Sequence, residues 1–319
     1  MNIGSITLKQ HKSVVAKISK YLVWLAVITI FSISIYYGDR IRDSVVRALR
    51  ICATSIIPSV FPYMILCDYI SHMENCSGFI GSIISRIYGI HPQGARAILL
   101  GNIFGFPIGA KGALSLYSHG IVDANECARI AGLSTNPSLS FVVFVTGVAI
   151  RGSIIEGYIL YISVIFATLL TSVLFKNSNI KLPITNFISR QNYDLIKSIQ
   201  SAASACLTLT ACVSFFSYLI EMCDLAIRNA FFTLAVSLLL EIGNATVIIS
   251  ELEIPNTISL SLTALALGFS GVSVHLQIES ILPPEIPRAV YYRTKAIEAI
   301  MAGAVSYLIC VLCQTLSII

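Results

Sequence analysis

One hydrophobic segment of this 319-residue chain is interrupted by the stretch Gly101-Asn102-Ile103-Phe104-Gly105-Phe106-Pro107-Ile108-Gly109-Ala110-Lys111-Gly112. A helix loses a backbone hydrogen bond at Pro107, and the glycines make the helical conformation costly to keep. Unwound backbone at membrane depth is tolerated only where it is buried in protein or lines a water-filled cavity. The stretch therefore predicts a broken helix beside a cavity.

The composition around this break is that of a membrane protein. Charged residues make up 12% of the chain and the mean hydropathy is +0.83, whereas soluble domains carry about 25% charged residues. A spanning helix needs roughly 20 mostly apolar residues. Long apolar runs without strict alternation favour helices, so we predict an all-α integral membrane protein with about 8–10 transmembrane or re-entrant helices. The predicted apolar segments are 21–37, 48–70, 94–118, 130–150, 154–175, 199–220, 229–250, 257–278 and 289–315.

The chain divides into four parts. Residues 1–44 hold an N-terminal basic segment and a signal-anchor helix, because lysines precede the apolar run 21–37 and no small-residue cleavage site follows it. The two halves, 45–175 and 199–319, form two repeats, and residues 176–198 form the polar connection between them. The N-terminal lysines favour a cytoplasmic start, although arginines in the next loop argue the other way.

The two halves carry similar interruptions at nearly the same distance. Leu239 opens a Leu-Leu-x-x-Gly-Asn pattern 140 residues after the Leu-Leu-Gly-Asn that begins at Leu99, and Gly268 lies 136 residues after Gly132. Paired interrupted segments in corresponding halves are the best sequence indication of a transporter binding site. We therefore predict broken helices in both repeats.

Lys111, next to the first break, is the main candidate for binding an anion. An ionisable group in an apolar span is a functional hypothesis by default, and the start of a half-helix favours negative charge. The alternatives are that Lys111 snorkels, that the glycines only pack helices closely, and that Ser and Thr only bond helical carbonyls. The predicted substrate-binding residues are Asn102, Gly105, Phe106, Pro107, Gly109, Lys111, Ser134, Asn136, Asn244, Ser270 and Ser273.

Two ionisable residues in the second half are candidates for proton coupling. Glu241 and His275 lie within apolar stretches, and His titrates near physiological pH. A structural histidine near a helix end is the alternative for His275. The motifs of hydrolases, metalloproteases, P-loop proteins and dinucleotide-binding proteins do not occur in the required context. We therefore predict no catalytic residues, no enzyme activity, and neither a metal nor another cofactor. The scattered charge gives no indication of nucleic-acid binding.

Several motifs together resemble the nucleoside-recognition (Gate) domain, and more narrowly the sporulation integral membrane proteins of endospore-forming bacteria. The resemblance runs from about residue 45 to the C-terminus. The motifs that carry it are Ile56-Ile57-Pro58-Ser59-Val60-Phe61-Pro62, Gly105-Phe106-Pro107-Ile108-Gly109-Ala110-Lys111, the acidic helix start at Asp123 and Glu126, Ser134-Thr135-Asn136-Pro137, and Gly268-Phe269-Ser270-Gly271-Val272-Ser273-Val274-His275-Leu276-Gln277.

The resemblance implies a fold related to nucleoside carriers and, for the stage V members, movement of dipicolinic acid across the outer forespore membrane. Dipicolinate is a flat aromatic dianion, so its site should offer Lys111, backbone N–H groups and stacking by Phe104 or Phe106. Arg96 and Arg129 would guide the anion inward. The leading hypothesis is therefore a transporter of a small anionic solute in a bacterial cell membrane.

Two alternatives stay open. A nucleoside carrier would rely on the neutral side chains Asn102, Asn136 and Asn244 more than on a lysine. A sporulation membrane scaffold would keep the fold without transport, and it would use the exposed loop 176–197 to bind other sporulation membrane proteins. Besides the solute and the bilayer, a second copy of the chain is a further expected partner.

Overall fold

Every regular element in the described part of the chain is helical, as the sequence predicts. The predicted N-terminal lysine cluster and nearly all of the polar connection 176–198 lie outside this part, so both stay predictions. In the computed structural model, the described residues are Tyr21, Trp24, Leu25, 27–72, 79–175 and 195–315.

The first half contains eight described α-helices and two π-helical segments. The segment Cys52–Ile56 joins α2 to α3, and the π-helix Phe141–Ile150 precedes α8. In chain order the helices are α1 (Val27–Tyr36), α2 (Gly38–Ile51), α3 (Ile57–His72), α4 (Phe79–Tyr88), α5 (Pro92–Phe104), α6 (Ile108–Ser118), α7 (Ala124–Ser134) and α8 (Ile154–Leu174).

The second half contains six described helices, two of which follow the preceding helix after a single residue. Those two are α11 and α13, which come directly after Glu241 and Ser270. The helices are α9 (Leu195–Ile227), α10 (Ala230–Leu240), α11 (Ile242–Ser250), α12 (Asn256–Phe269), α13 (Gly271–Glu279) and α14 (Arg288–Thr315).

Several helices begin at a polar residue that caps them. The side chain of Asp123 accepts a hydrogen bond from the Glu126 amide at 2.8 Å, and Ser153 and Asn229 cap α8 and α10 in the same way. Such caps satisfy amide groups that have no partner within the helix. The acidic motif at Asp123 therefore marks a helix start, as its sequence suggests.

Within the described residues, five helical stretches are long and apolar enough to span a bilayer, which indicates a multi-pass membrane protein. Three other predicted segments, 94–118, 130–150 and 229–250, are each divided into shorter helices, because the chain unwinds inside them. The five stretches are Gly38–Leu66, Ile154–Leu174, Leu195–Ile227, Asn256–Glu279 and Arg288–Thr315.

The long helices α8 and α14 pack against each other and against the broken helices. Helix α8 contacts the π-helix and α12, while α14 contacts α12 and α7. Small residues allow the close approach: a Cβ at Gly268 would lie only 2.9 Å from the Cβ of Ala302. Close contact through small residues is the usual means of helix association in membranes. This packing holds the breaks together at the centre of the protein.

Candidate functional site

The first break is a hairpin turn between α5 and α6. Helix α5 ends at Phe104, and Gly105 follows with φ 86° and ψ 178°, a conformation that only glycine adopts readily. A Cβ at Gly112 in α6 would lie 3.0 Å from the Cβ of Ala97 in α5, so the two helices lie side by side. The turn predicted from Gly105 and Pro107 is present in the structure.

The second break is the unwound segment Thr135–Ser138, which follows α7. It contacts the first break directly, because the Phe106 amide donates to the Asn136 carbonyl at 3.0 Å. The Asn136 side chain donates to Asn102 Oδ1 at 2.6 Å, which ties the same segment to α5. Protein groups thus satisfy part of the unwound backbone, as burial in a membrane requires.

The third and fourth breaks contact each other in the second half. Glu241 separates α10 from α11, and its carboxylate accepts from the amides of Gly243 at 2.9 Å and Asn244 at 2.7 Å. Ser270, with φ 74°, separates α12 from α13, and a Cβ at Gly271 would lie 3.1 Å from the Leu240 carbonyl oxygen. Each half therefore brings its own two breaks together.

One hydrogen bond joins the breaks of the two halves. Ser270 Oγ donates to the Thr135 carbonyl at 3.1 Å. Ser270 lies 135 residues after Thr135, and Glu241 lies 135 residues after Phe106. The two pairs of breaks thus share one separation, whereas matching the sequence letters gives 140 and 136.

The first three breaks line a cavity of about 300 Å³, which is at the lower end of the range for small-molecule sites. Its charged lining residues, among those described, are Lys111 and Glu241. Lys111 is exposed, and none of the described carboxylates pairs with it. The remaining wall is largely aliphatic, with residues such as Ile56, Val60, Met64, Leu209 and Ile281. Its aromatic, hydroxyl and amide side chains are those of Phe104, Phe106, Phe141, Ser138, Ser201, Ser204, Thr208, Ser273, Gln277 and Ser280.

The predicted substrate-binding residues divide into two groups. Those that line the cavity are Gly105, Phe106, Pro107, Lys111 and Ser273. Those that lie outside its wall are Asn102, Gly109, Ser134, Asn136, Asn244 and Ser270.

The second group supports the wall from behind. A Cβ at Gly109 would lie 2.3 Å from the Cβ of Ser134, so this glycine lets α6 pack against the end of α7. The Asn244 side chain donates to Ser217 Oγ at 2.7 Å and to Glu241 Oε2 at 2.9 Å. These residues hold the breaks in place, and their predicted contact with a substrate stays a prediction.

The two predicted proton-coupling residues have different surroundings. The buried Glu241 carboxylate caps α11 and lines the cavity. His275 is also buried, with Nδ1 2.9 Å from the hydroxyl of Tyr291. Its Nε2 has no hydrogen-bond partner among the described residues. Neither arrangement decides whether a proton moves with a solute, so both stay predictions.

The predicted guiding role of Arg129 does not match its contacts. Arg129 is buried, and its guanidinium donates to the carbonyls of Tyr88 at 2.8 Å and Gly89 at 2.5 Å. The residue therefore joins α7 to the end of α4. Arg96 is half-buried within α5 and does not line the cavity.

A buried ion pair on α14 is the functional candidate that the motifs missed. Lys295 Nζ lies 3.0 Å from Glu298 Oε2, and both side chains are 0% exposed. Lys295 also donates to Asn136 Oδ1 at 2.8 Å. The signal was present as two ionisable residues three positions apart inside the apolar segment 289–315, which places them on one helix face.

No family model, curated protein or solved structure matches the chain in comparisons with known proteins. No group of three His, Cys, Asp or Glu side chains in the described ranges is placed to hold a metal ion. The class of the protein is therefore inferred from its fold and its site. This is a helical membrane protein of the multi-pass class, with a central cavity where broken helices meet.

Proposed function

We infer that the protein is a membrane transporter of a small anionic solute. The observation that carries this proposal is the cavity lined by three of the four breaks, with the exposed Lys111 on its wall. Irregular backbone at the centre of paired broken helices is where secondary transporters bind solutes. No covalent chemistry is required, because alternating access moves the solute without changing it.

The order of the elements supports two repeats. A pair of short helices, a broken helix and a long helix follow one another twice: α5 to α8 in the first half and α10 to α14 in the second. The contacts are reciprocal, since α8 packs on α12 and α14 packs on α7. Together with the common separation of 135 residues, this pattern supports the predicted repeat architecture, in which one repeat moves against the other.

The starts of α6 and α11 support an anion as the solute. At α11 the amides of the first turn are occupied by the Glu241 carboxylate, so this helix start already binds an anion supplied by the protein. At α6 no side chain caps the helix, Pro107 lines the cavity, and Lys111 follows one turn later. A helix start and a cation beside an open cavity favour a negatively charged ligand.

The asparagines support the anion over the nucleoside alternative. A nucleoside would be bound by neutral side chains, but Asn102, Asn136 and Asn244 lie outside the cavity wall, and their side chains already bond to other protein groups. Phe104 and Phe106 line the cavity and are available to stack on a flat ring. We therefore propose dipicolinate as the solute and the outer forespore membrane as the location, both from the resemblance to the sporulation membrane proteins.

Uptake of labelled dipicolinate and labelled nucleoside into vesicles containing the purified protein tests this proposal. We expect saturable dipicolinate uptake, and a loss of about 10- to 100-fold for Lys111→Ala, because an interaction with a charged group contributes about 1.5–3 kcal/mol. Lys197→Ala is the matched control, since Lys197 is exposed on α9 and does not line the cavity.

Three results would contradict the proposal in different ways. Uptake of nucleoside alone would favour the nucleoside carrier. Equal uptake by Lys111→Ala and the control would exclude Lys111 as the binding cation. No uptake of either solute, together with recovery of sporulation membrane proteins that depends on the loop 176–197, would favour the scaffold.

A further inference from the structure

The Lys295–Glu298 pair is the centre of a polar network inside the protein. Thr168 Oγ1 on α8 donates to Glu298 Oε1, and Asn136 Nδ2 donates to Thr168 Oγ1 at 3.0 Å. With the bonds from Lys295 to Asn136 and Glu298, these contacts close a ring of four side chains. The network joins two long helices, α8 and α14, to the unwound segment of the first half.

Burying these charges is costly, so their presence calls for an explanation. Removing two ions from water costs several kcal/mol each, and their mutual attraction often only offsets this cost. Apolar residues would pack α14 against its neighbours at least as stably. Ionisable groups inside membrane helices that face the protein interior mark ion and proton pathways.

The pair is connected to the cavity through a single residue. Lys295 holds the side chain of Asn136, while the carbonyl of Asn136 accepts from the Phe106 amide. Phe106 and Pro137, on either side of this contact, both line the cavity. A change in the charge of the pair therefore acts on the backbone that forms the cavity wall.

The surroundings leave Glu298 as the acid of this network. The other titratable groups that interact with the pair are Tyr88 from α4, Tyr291 from α14 and His275 from α13. Arg129 on α7 is directed to the carbonyls of residues 88 and 89. From α8 and the unwound segment, the side chains that hydrogen-bond to the pair are the uncharged Thr168 and Asn136.

We propose that Glu298 is the site of a proton that is carried together with the anionic solute, an inference that rests on the proposed transport function. The proton from one compartment binds a carboxylate oxygen of Glu298 and is released on the other side. When Glu298 is neutral, the charge of Lys295 is no longer compensated. A bound anion favours that state, because Lys295, buried behind the cavity wall, then adds an uncompensated positive charge to that of Lys111.

A pH gradient across the vesicle membrane tests this coupling. With the membrane potential held at zero, one proton carried per solute makes a gradient of about one pH unit drive accumulation of about tenfold. We expect Glu298→Gln to lose this accumulation, so that the ratio falls to about one. Exchange of labelled for unlabelled solute at equal pH should continue within a few-fold of the wild-type rate.

Two variants keep the test decisive. Glu156→Gln is the matched control, because Glu156 is a carboxylate paired with Arg151 outside the network, at 2.6 Å, and it should accumulate solute like the wild type. If Glu298→Gln does not insert, the neutral double variant Lys295→Gln/Glu298→Gln replaces it and should show the same loss.

The outcomes separate the two proposals. Accumulation by Glu298→Gln equal to that of the wild type overturns the proton site but leaves transport intact. A pH-sensitive dye inside the vesicles tests the same point without any variant. If wild-type uptake occurs without proton entry, the proton site is overturned and transport is left intact. If the wild type moves no solute at equal pH either, the transport function itself fails, and the proton site fails with it.

Discussion

Replacing Gly105 by alanine perturbs the first break in two ways that can be separated. Its φ of 86° and ψ of 178° belong to a region that only glycine adopts readily, and a residue with a side chain is strained there by about 1–3 kcal/mol. In addition, the new Cβ would lie 2.8 Å from the Ser138 amide nitrogen and 3.2 Å from its Cα. Such overpacking adds about 1–3 kcal/mol.

Gly152→Ala isolates the backbone part of this cost. Gly152 also has a positive φ, 71°, but nothing lies within 4 Å of its added Cβ. We expect this control to be destabilised by about 1–2 kcal/mol, the cost of a left-handed conformation. Gly105→Ala should therefore be less stable than the control by about 1–4 kcal/mol.

Thermal unfolding in detergent, followed with a thiol-reactive dye, measures the difference. Cysteines such as Cys52, Cys127 and Cys206 are buried, so they become reactive when the helices separate. Gly105→Ala should melt well below both the wild type and Gly152→Ala, and it should also transport less solute. If both variants melt at the same temperature, the contact between Gly105 and Ser138 does not constrain the break, and the description of the hairpin turn is wrong.

Three further predictions concern the other breaks, each measured by the same unfolding assay. Glu241→Ala should destabilise the protein by about 1–2 kcal/mol because it removes the cap of α11. Glu241→Gln should lose less stability because one acceptor oxygen remains, and equal losses of stability would contradict the capping role. Ser270→Gly should be more stable than Ser270→Ala, because both variants lose the hydrogen bond to the Thr135 carbonyl but only glycine relieves the positive φ. The reverse order of melting temperatures would show that the backbone at Ser270 is not strained. Thr168→Val should cost about 1–3 kcal/mol, since it leaves Glu298 without a hydrogen-bond donor from α8, and an unchanged melting temperature would argue against the network.

The breaks could be predicted because their chemistry is local. Gly105 and Pro107 together disfavour a continuous helix, and the structure breaks the helix there, whereas Pro62 alone lies inside α3 without ending it. The correspondence between the two halves is harder to predict from the sequence, because apolar pairs such as the one that begins at Leu239 recur in any hydrophobic segment. The position of a break depends on backbone geometry, and Glu241 in the second half does what Gly105 and Pro107 do in the first with different residues.

The cavity wall and the ion pair depend on tertiary packing. The spacing of Ser201, Ser204 and Thr208 places them on one face of α9, but they line the cavity only because α9 lies against it. Lys295 and Glu298 carried a usable signal in their spacing, but α14 lacks a glycine or proline break near them. The positions of helix breakers in a sequence therefore do not reveal charges that are buried in an unbroken helix.

The cap that Glu241 provides has a consequence for the two hairpins. The first turn of α11 is capped by a side chain of the protein, while α6 begins beside the cavity without a side-chain cap. The halves are thus alike in layout but unequal in what they need from outside. Under the proposed transport function, we expect bound solute to stabilise the uncapped start of α6, which would give the loaded and unloaded halves of the cycle different speeds.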